Sequence, residues 1–194
     1  MNKQIKIGVL GGTFDPVHNG HLYLAKKVLK KLSLDKIIFI PTYIPPHKKG
    51  SSVTSARHRY NMLKFALKGN KKFSVSCIEL NRKGKSYSID TIRQLRKKYK
   101  NAELYFITGS DSLKVLKIWK ALGKMLKLCT FIIVKRPGHS LKGLPKGFIA
   151  LDIKAKDISS TELRKRFKKT LSIAKFVPKS VRSYITNNSL YKLR

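Results

Sequence analysis

Residues 11–22 read GGTFDPVHNGHL, a stretch that gathers two glycines, a proline and two histidines three positions apart at what reads as a helix start. Histidines at i and i+3 share one face of a first helical turn, and each ring offers a donor to an anion. The opening amides of a helix have no partner within it, and the helix dipole adds positive charge at the same place. Such a turn suits phosphate. Gly11 and Gly12 are expected to allow a tight turn and close approach of a ligand to the backbone. Pro16 stiffens the loop, and Asn19 or Gly20 opens the helix.

A second stretch of the same kind is ISSTELR, residues 158–164. Ser159, Ser160 and Thr161 bring three hydroxyls and fresh amides to another helix start, and Arg164 adds a guanidinium one turn along. Guanidinium pairs with phosphate oxygens through short, charge-assisted bonds. Taken alone, this stretch reads as a plain N-cap followed by a solvated arginine. The G-x-G-x-x-G and G-x-x-x-x-G-K-[ST] phosphate patterns are absent. Zinc wants a third ligand at a definite spacing, and His47, His58, His139, Cys77 and Cys129 supply none for His18 and His21.

The elements that must position these residues follow from hydrophobic periodicity. IKIGVL (5–10) reads as a first strand, and a helix follows with Leu22, Ala25, Leu29 and Leu32 on one face. KIIFIP (36–41) is a continuous apolar run, as in a strand buried on both sides. SARHRYNMLKFALKG (55–69) predicts a helix with Met62, Phe65 and Ala66 inward and Gly69 at its C-cap. FSVSCIEL (73–80) alternates like a strand, with Cys77 buried in it, and helical spacing returns through Ile89, Ile92 and Leu95. ELYFITGSD (103–111), LCTFIIVKRPG (128–138, with Cys129 buried) and GFIALDI (147–153) complete the strands, and DSLKVLKIW (111–119) predicts a short helix. From residue 157 onward the chain reads helical, with Pro178 in the first turn of a last helix. Alternation of strand and helix at this spacing predicts an α/β fold, a doubly wound parallel sheet with helices on both faces. Residues 1–194 form one domain in this reading, with 155–194 its helical C-terminal part. The histidine turn then lies at the carboxyl end of the first strand, where ligands bind in open α/β sheets.

Forty-four Lys and Arg against nine Asp and Glu give a net charge of +35. Thirty-four of these cations are lysines, scattered along the chain without a basic arm, whereas base readout favours arginine. The expectation is a compositional surplus on solvated faces that attracts polyanions without sequence preference. No apolar run approaches the ~18 residues of a membrane span, and the N-terminal stretch lacks the apolar core of an export signal. The two cysteines make no disulfide framework. A cytoplasmic protein with no membrane partner is expected.

Together, GGTFDPVHNGHL and ISSTELR resemble the HxGH/ISSTxxR nucleotidylyltransferase superfamily, and more closely bacterial nicotinate mononucleotide adenylyltransferases. PPHK (45–48), SYSIDTIRQL (86–95), GSDSL (109–113) followed by Trp119, RPG (136–138) and VPKSVRSYI (177–185) fall where that family has similar segments. The family commonly reads SYT and GAD where this chain has Ser88 and Ser110. Ser88 keeps the hydroxyl and the amide.

The resemblance implies a Rossmann-like fold and transfer of the adenylyl group of ATP to nicotinate mononucleotide, giving deamido-NAD and pyrophosphate. It implies Mg²⁺ carried by ATP, with no protein metal site and no tightly bound organic cofactor. It assigns His18, His21 and Arg164 as catalytic, with His18 and His21 at the ATP phosphates. Gly11, Thr13 and Phe14 supply backbone contacts, Ser159, Ser160, Thr161 and Arg164 hold the β/γ end, and Gly109 with Asp111 holds the ribose. Tyr87, Ser88 and Trp119 meet the pyridine ring and its carboxylate, with His47, Lys48 and Arg136 as further substrate contacts. Two other classes stay open at this point. A nucleic-acid-binding protein would explain the charge but expects a basic patch with exposed aromatics. A related nucleotidylyltransferase, acting on nicotinamide mononucleotide or transferring a cytidylyl group, would share the chemistry.

Overall fold

The run KIIFIP forms strand β2 (Lys36–Pro41), buried at every position after its first. Side chains alternate across a strand, so Ile37 and Phe39 enter one core while Ile38 and Ile40 enter another. A sheet covered on both faces follows from that one strand. The computed structural model describes residues 4–44, 53–110, 112–113, 119–135, 144, 146–153 and 158–191.

In chain order the elements are β1 (Lys6–Gly12), α1 (Asn19–Lys31), β2, α2 (Ala56–Leu67), β3 (Phe73–Val75), α3 (Ile78–Arg82), α4 (Ser88–Lys98), β4 (Glu103–Gly109), α5 (Leu122–Leu126), β5 (Thr130–Val134), β6 (Phe148–Leu151), α6 (Ser160–Lys168) and α7 (Lys179–Asn187). The six strands are all parallel, in the order β3-β2-β1-β4-β5-β6. This is the order of a doubly wound Rossmann sheet, whose ligand crevice opens where the winding reverses, between β1 and β4. Residues of α1, α2, α6 and α7 pack on one face around Phe39, Val28, Met62, Leu163 and Val181. Ile89, Ile92 and Leu95 of α4 and Met125 of α5 cover the other. Among the described residues no helix is long and apolar enough to cross a membrane.

Several expectations are corrected. FSVSCIEL is a strand for only three residues, Phe73–Val75, paired with β2 at Ile37–Phe39. After Ser76, whose amide bonds Phe39, the chain turns into α3, so Cys77 is half-buried before a helix. Cys129 is buried, but one residue ahead of β5. Phe65 is 44 % exposed and lies against Tyr184 of α7 instead of pointing inward. Pro178 is the N-cap residue of α7, just outside its first turn. His58 is half-buried, with its Nδ1 2.9 Å from the Tyr184 hydroxyl. Most of the predicted 111–119 helix lies outside the described residues.

Candidate active site

The carboxyl ends of β1 and β4 lie side by side, with Leu10 opposite Ile107 in the parallel register. β1 ends in Gly11 and Gly12, and β4 ends in Thr108 and Gly109. The glycines do not make the tight turn by positive φ. That conformation falls on Phe14, at φ 50, a buried residue whose ring packs against Phe39 and which lines the cleft beside the histidines. The glycines supply space. A Cβ at Gly12 would meet the Phe14 ring at 3.0 Å, whereas one at Gly11 would find only Phe106, at 3.8 Å.

His18 is the N-cap residue of α1, in an extended conformation, and is 4 % exposed. The His18 and His21 rings stack with centroids 3.6 Å apart. The His18 backbone N–H donates to His21 Nδ1 at 3.2 Å. An Nδ1 that accepts carries no proton, which puts the ring proton of His21 on Nε2. Phe14 meets the His21 ring edge-on at 5.0 Å. Gly20 makes the stack fit: a Cβ there would lie 3.0 Å from His18 Nδ1.

ISSTELR comes to the same place from the far end of the chain. Ser159 is the N-cap residue of α6. Ser160 Oγ donates to the Pro16 carbonyl at 3.0 Å, and Arg164 Nη1 donates to the Asp15 carbonyl at 2.7 Å. The Asp15 carboxylate, 2 % exposed, accepts from the Thr54 amide at 3.2 Å and from the Tyr191 hydroxyl at 2.6 Å. Burial, and then the charge of Asp15, push the Tyr191 phenol up, so it stays a neutral donor.

Two adjoining clefts result. One, of about 500 Å³, is lined by Phe14, His18, His21, Gly109, Ser159, Ser160, Thr161 and Arg164. The other, of about 280 Å³, is lined by Tyr87, Ser88, Trp119 and Lys120 above Ile40 and Phe106. Gly11, Gly12, Thr13, Thr108 and Ser112 line both, so the clefts share a floor. Of the residues predicted from the sequence, only His47, Lys48, Asp111 and Arg136 lie outside the described residues.

The second cleft has one flat wall and one polar end. Trp119 packs edge-on to Phe106 at 5.7 Å and tilted to Phe131 at 6.0 Å, which fixes its ring beside the cleft. Tyr87 is the N-cap residue of α4 and makes no side-chain cap to the first amides of that helix, which begins at Ser88. Lys120, missed in the sequence, holds its ammonium 4.7 Å from the centre of the Tyr87 ring. Glu79, also missed, is 5 % exposed and accepts from the Thr91 hydroxyl at 2.6 Å. Burial raises its pKa, opposed by hydrogen bonds from Thr91 and Ser86 and by the charges of Arg82 and Arg59. Among the described residues, no three His, Cys, Asp or Glu side chains gather as a metal site.

The chain is similar to known proteins along most of its length. A family model described as Cytidylyltransferase-like matches residues 9–166. The nicotinate-nucleotide adenylyltransferase of Bacillus subtilis (strain 168) is 42 % identical over 187 residues, covering 96 % of this chain and 98 % of that protein. The probable nicotinate-nucleotide adenylyltransferase of Clostridium novyi (strain NT) is 41 % identical over 198 residues, covering 96 % and 99 %. In structure, the chain is similar to Plasmodium falciparum nicotinic acid mononucleotide adenylyltransferase complexed with NaAD, with a TM-score of 0.80 at 23 % identity, covering 97 % and 98 %. That last likeness shows the same fold. With two helix starts joined over one strand end, and relatives matched along almost their whole length, the chain belongs to the nicotinate-nucleotide adenylyltransferase family of enzymes.

Proposed function

We propose that this enzyme joins ATP to nicotinate mononucleotide, releasing pyrophosphate and forming deamido-NAD, in the cytoplasmic synthesis of NAD. The observation that carries this reading is the pair of clefts over one glycine floor, one lined by anion donors and the other walled by an indole. A reaction between two nucleotides needs such a floor, because the phosphate of one must reach the α-phosphorus of the other. The family name and the solved complex of a relative with NaAD support the same substrates.

The mononucleotide phosphate is ionised at neutral pH, so its oxygen attacks the α-phosphorus without a general base. One P–O bond forms as the bond to the β-phosphate oxygen breaks, and the electron pair leaves with pyrophosphate. Catalysis is then alignment and stabilisation of charge on the leaving group. His21, protonated on Nε2, donates nearest the reacting centre, and His18 backs it through the stack. Arg164 and the amides of Ser160 and Thr161 hold the β/γ end, while the Ser160 hydroxyl is engaged by Pro16. The backbone at Gly11, Thr13 and Phe14 accommodates the α-phosphate, and Gly109 with Asp111 the ribose. Carried on the ATP phosphates, Mg²⁺ would offset their charge. The donor set fits a metal carried this way, because the Asp15 carboxylate is already held by Thr54 and Tyr191. In the acceptor cleft, Trp119 stacks on the pyridine, and the carboxylate meets the α4 amides, the Ser88 hydroxyl and Lys120.

The test is incubation of the pure protein with ATP, Mg²⁺ and either pyridine mononucleotide, following pyrophosphate. Release is expected with the acid; release with neither mononucleotide would overturn the reading. Polyanions such as DNA are expected to associate only weakly, with an affinity that falls steeply with salt.

A further inference from the structure

Arg59 is 1 % exposed and lines neither cleft. Its guanidinium donates to four backbone carbonyls. Nε reaches Thr54 at 2.8 Å, Nη1 reaches Thr13 at 2.9 Å and Thr42 at 2.6 Å, and Nη2 reaches Tyr43 at 3.1 Å. No carboxylate is among these acceptors. Burial lowers the guanidinium pKa, and the charge of Asp15 offsets part of that. Burying a charge is costly, and well-packed apolar groups often serve stability as well or better. The four acceptors therefore call for an explanation in terms of placement.

Thr13 lies in the histidine turn and lines both clefts, and Thr42 lines the acceptor cleft. The amide of Tyr43 donates to Ser86 Oγ at 2.9 Å, and Ser86 lines the same cleft directly before Tyr87 and Ser88. A continuous strap thus runs from the nucleotide side, through one guanidinium, to the wall that meets the pyridine. We propose that Arg59 is a positioning residue: through Thr13 on one side, and Tyr43 and Ser86 on the other, it sets the spacing between the two clefts. This inference rests on the adenylyl-transfer reading above. In that reaction the spacing fixes how the attacking phosphate approaches the α-phosphorus. A planar fork with five donors spans four carbonyls; lysine, with three donors at one point, cannot.

Arg59→Lys tests the proposal. The single-turnover rate is measured with both substrates saturating, alongside the KM of each and the fraction folded. A displacement on the order of 1 Å costs up to roughly 10²-fold in rate. The expected result is a rate at least ~10-fold lower per folded molecule, with both KM values within about threefold of the parent. A lower Tm with an unchanged rate per folded molecule would reduce Arg59 to a structural role and overturn the proposal. Ser86→Ala breaks the far link while leaving the Arg59 guanidinium and its four acceptors in place, at the loss of one hydrogen bond to Glu79, and its single-turnover rate should fall in the same direction. If Arg59→Lys does not fold at the assay temperature, an unchanged rate in Ser86→Ala overturns the proposal. Failure of the parent to release pyrophosphate would instead defeat the adenylyl-transfer reading itself.

Discussion

Arg164 Nη1 lies 2.7 Å from the backbone carbonyl of Asp15, so two phosphate-type motifs 149 residues apart are one bonded unit. The same guanidinium stands 4.0 Å from the Asp15 carboxylate, which holds it without a close ion pair. One face of the arginine positions the histidine turn, and the cleft receives the rest.

His21→Ala should lower turnover by about 10²–10³-fold, the loss seen when one preplaced charge-stabilising donor is removed. The fold should survive, because His21 lines the cleft and its Nδ1 bond is to one amide at the helix start. Steady-state pyrophosphate release and circular dichroism read the two effects. Unaltered turnover would remove His21 from the site.

Gly11→Ala and Gly8→Ala should behave oppositely. A methyl at Gly8 meets Ile37 Cγ1 and Leu34 Cδ1, both at 2.9 Å, in the middle of the core. Overpacking of this kind costs about 1–3 kcal/mol, read as a lower Tm. At Gly11 the protein has room, so Tm should hold while kcat/KM falls, because the methyl stands on the floor that both clefts share.

Nicotinate and its amide differ only in what meets one carboxylate, so discrimination should reside at Tyr87, Ser88 and Lys120. Lys120→Met should narrow the acid-to-amide ratio of kcat/KM, and Ser88→Pro should do so by removing one amide donor at a helix position that tolerates proline. Trp119→Ala should weaken both substrates and leave their ratio nearly intact, since stacking does not see the carboxylate. Loss of the preference in Trp119→Ala alone would put the discriminating contact elsewhere.

Glu79→Gln should change the pH dependence of stability. Burial raises the folded-state pKa of Glu79 above its unfolded value. Below the ordinary carboxylate range both states are protonated and the difference is silent. As pH rises the unfolded state ionises first, and the parent loses stability until the folded group also ionises. The variant cannot ionise, so its Tm should gain on the parent from about pH 4 upward and then level off. A variant that instead falls behind near neutrality would mean that attraction to Arg82 and Arg59 outweighs burial.

Much of this was legible in the sequence where the signal is short-ranged. The histidine turn and ISSTELR each carry their pattern within one helical turn, and KIIFIP reports two covered faces by being apolar throughout. What escaped depends on distant partners. Arg59 occupies an inward position three residues before Met62, yet among forty-four cations one more arginine draws no notice. FSVSCIEL keeps a strand-like alternation past the point where pairing with β2 ends, so the period alone could not mark the turn into α3. Gly11 and Gly12 drew the turn geometry that Phe14 adopts, because glycine is the residue for which positive φ is cheap.

The hydroxyl of Tyr191 bonds the carboxylate of Asp15 across 176 residues of chain. During synthesis, all six strands leave the ribosome well before Tyr191 does. A nascent chain halted after β6 would hold the histidine turn and the sheet beneath it, but neither Arg164 nor Tyr191 to fasten Asp15. The cleft lined by His18, His21 and Arg164 is therefore among the last parts of the molecule to be finished, together with the face of the sheet that α6 and α7 cover.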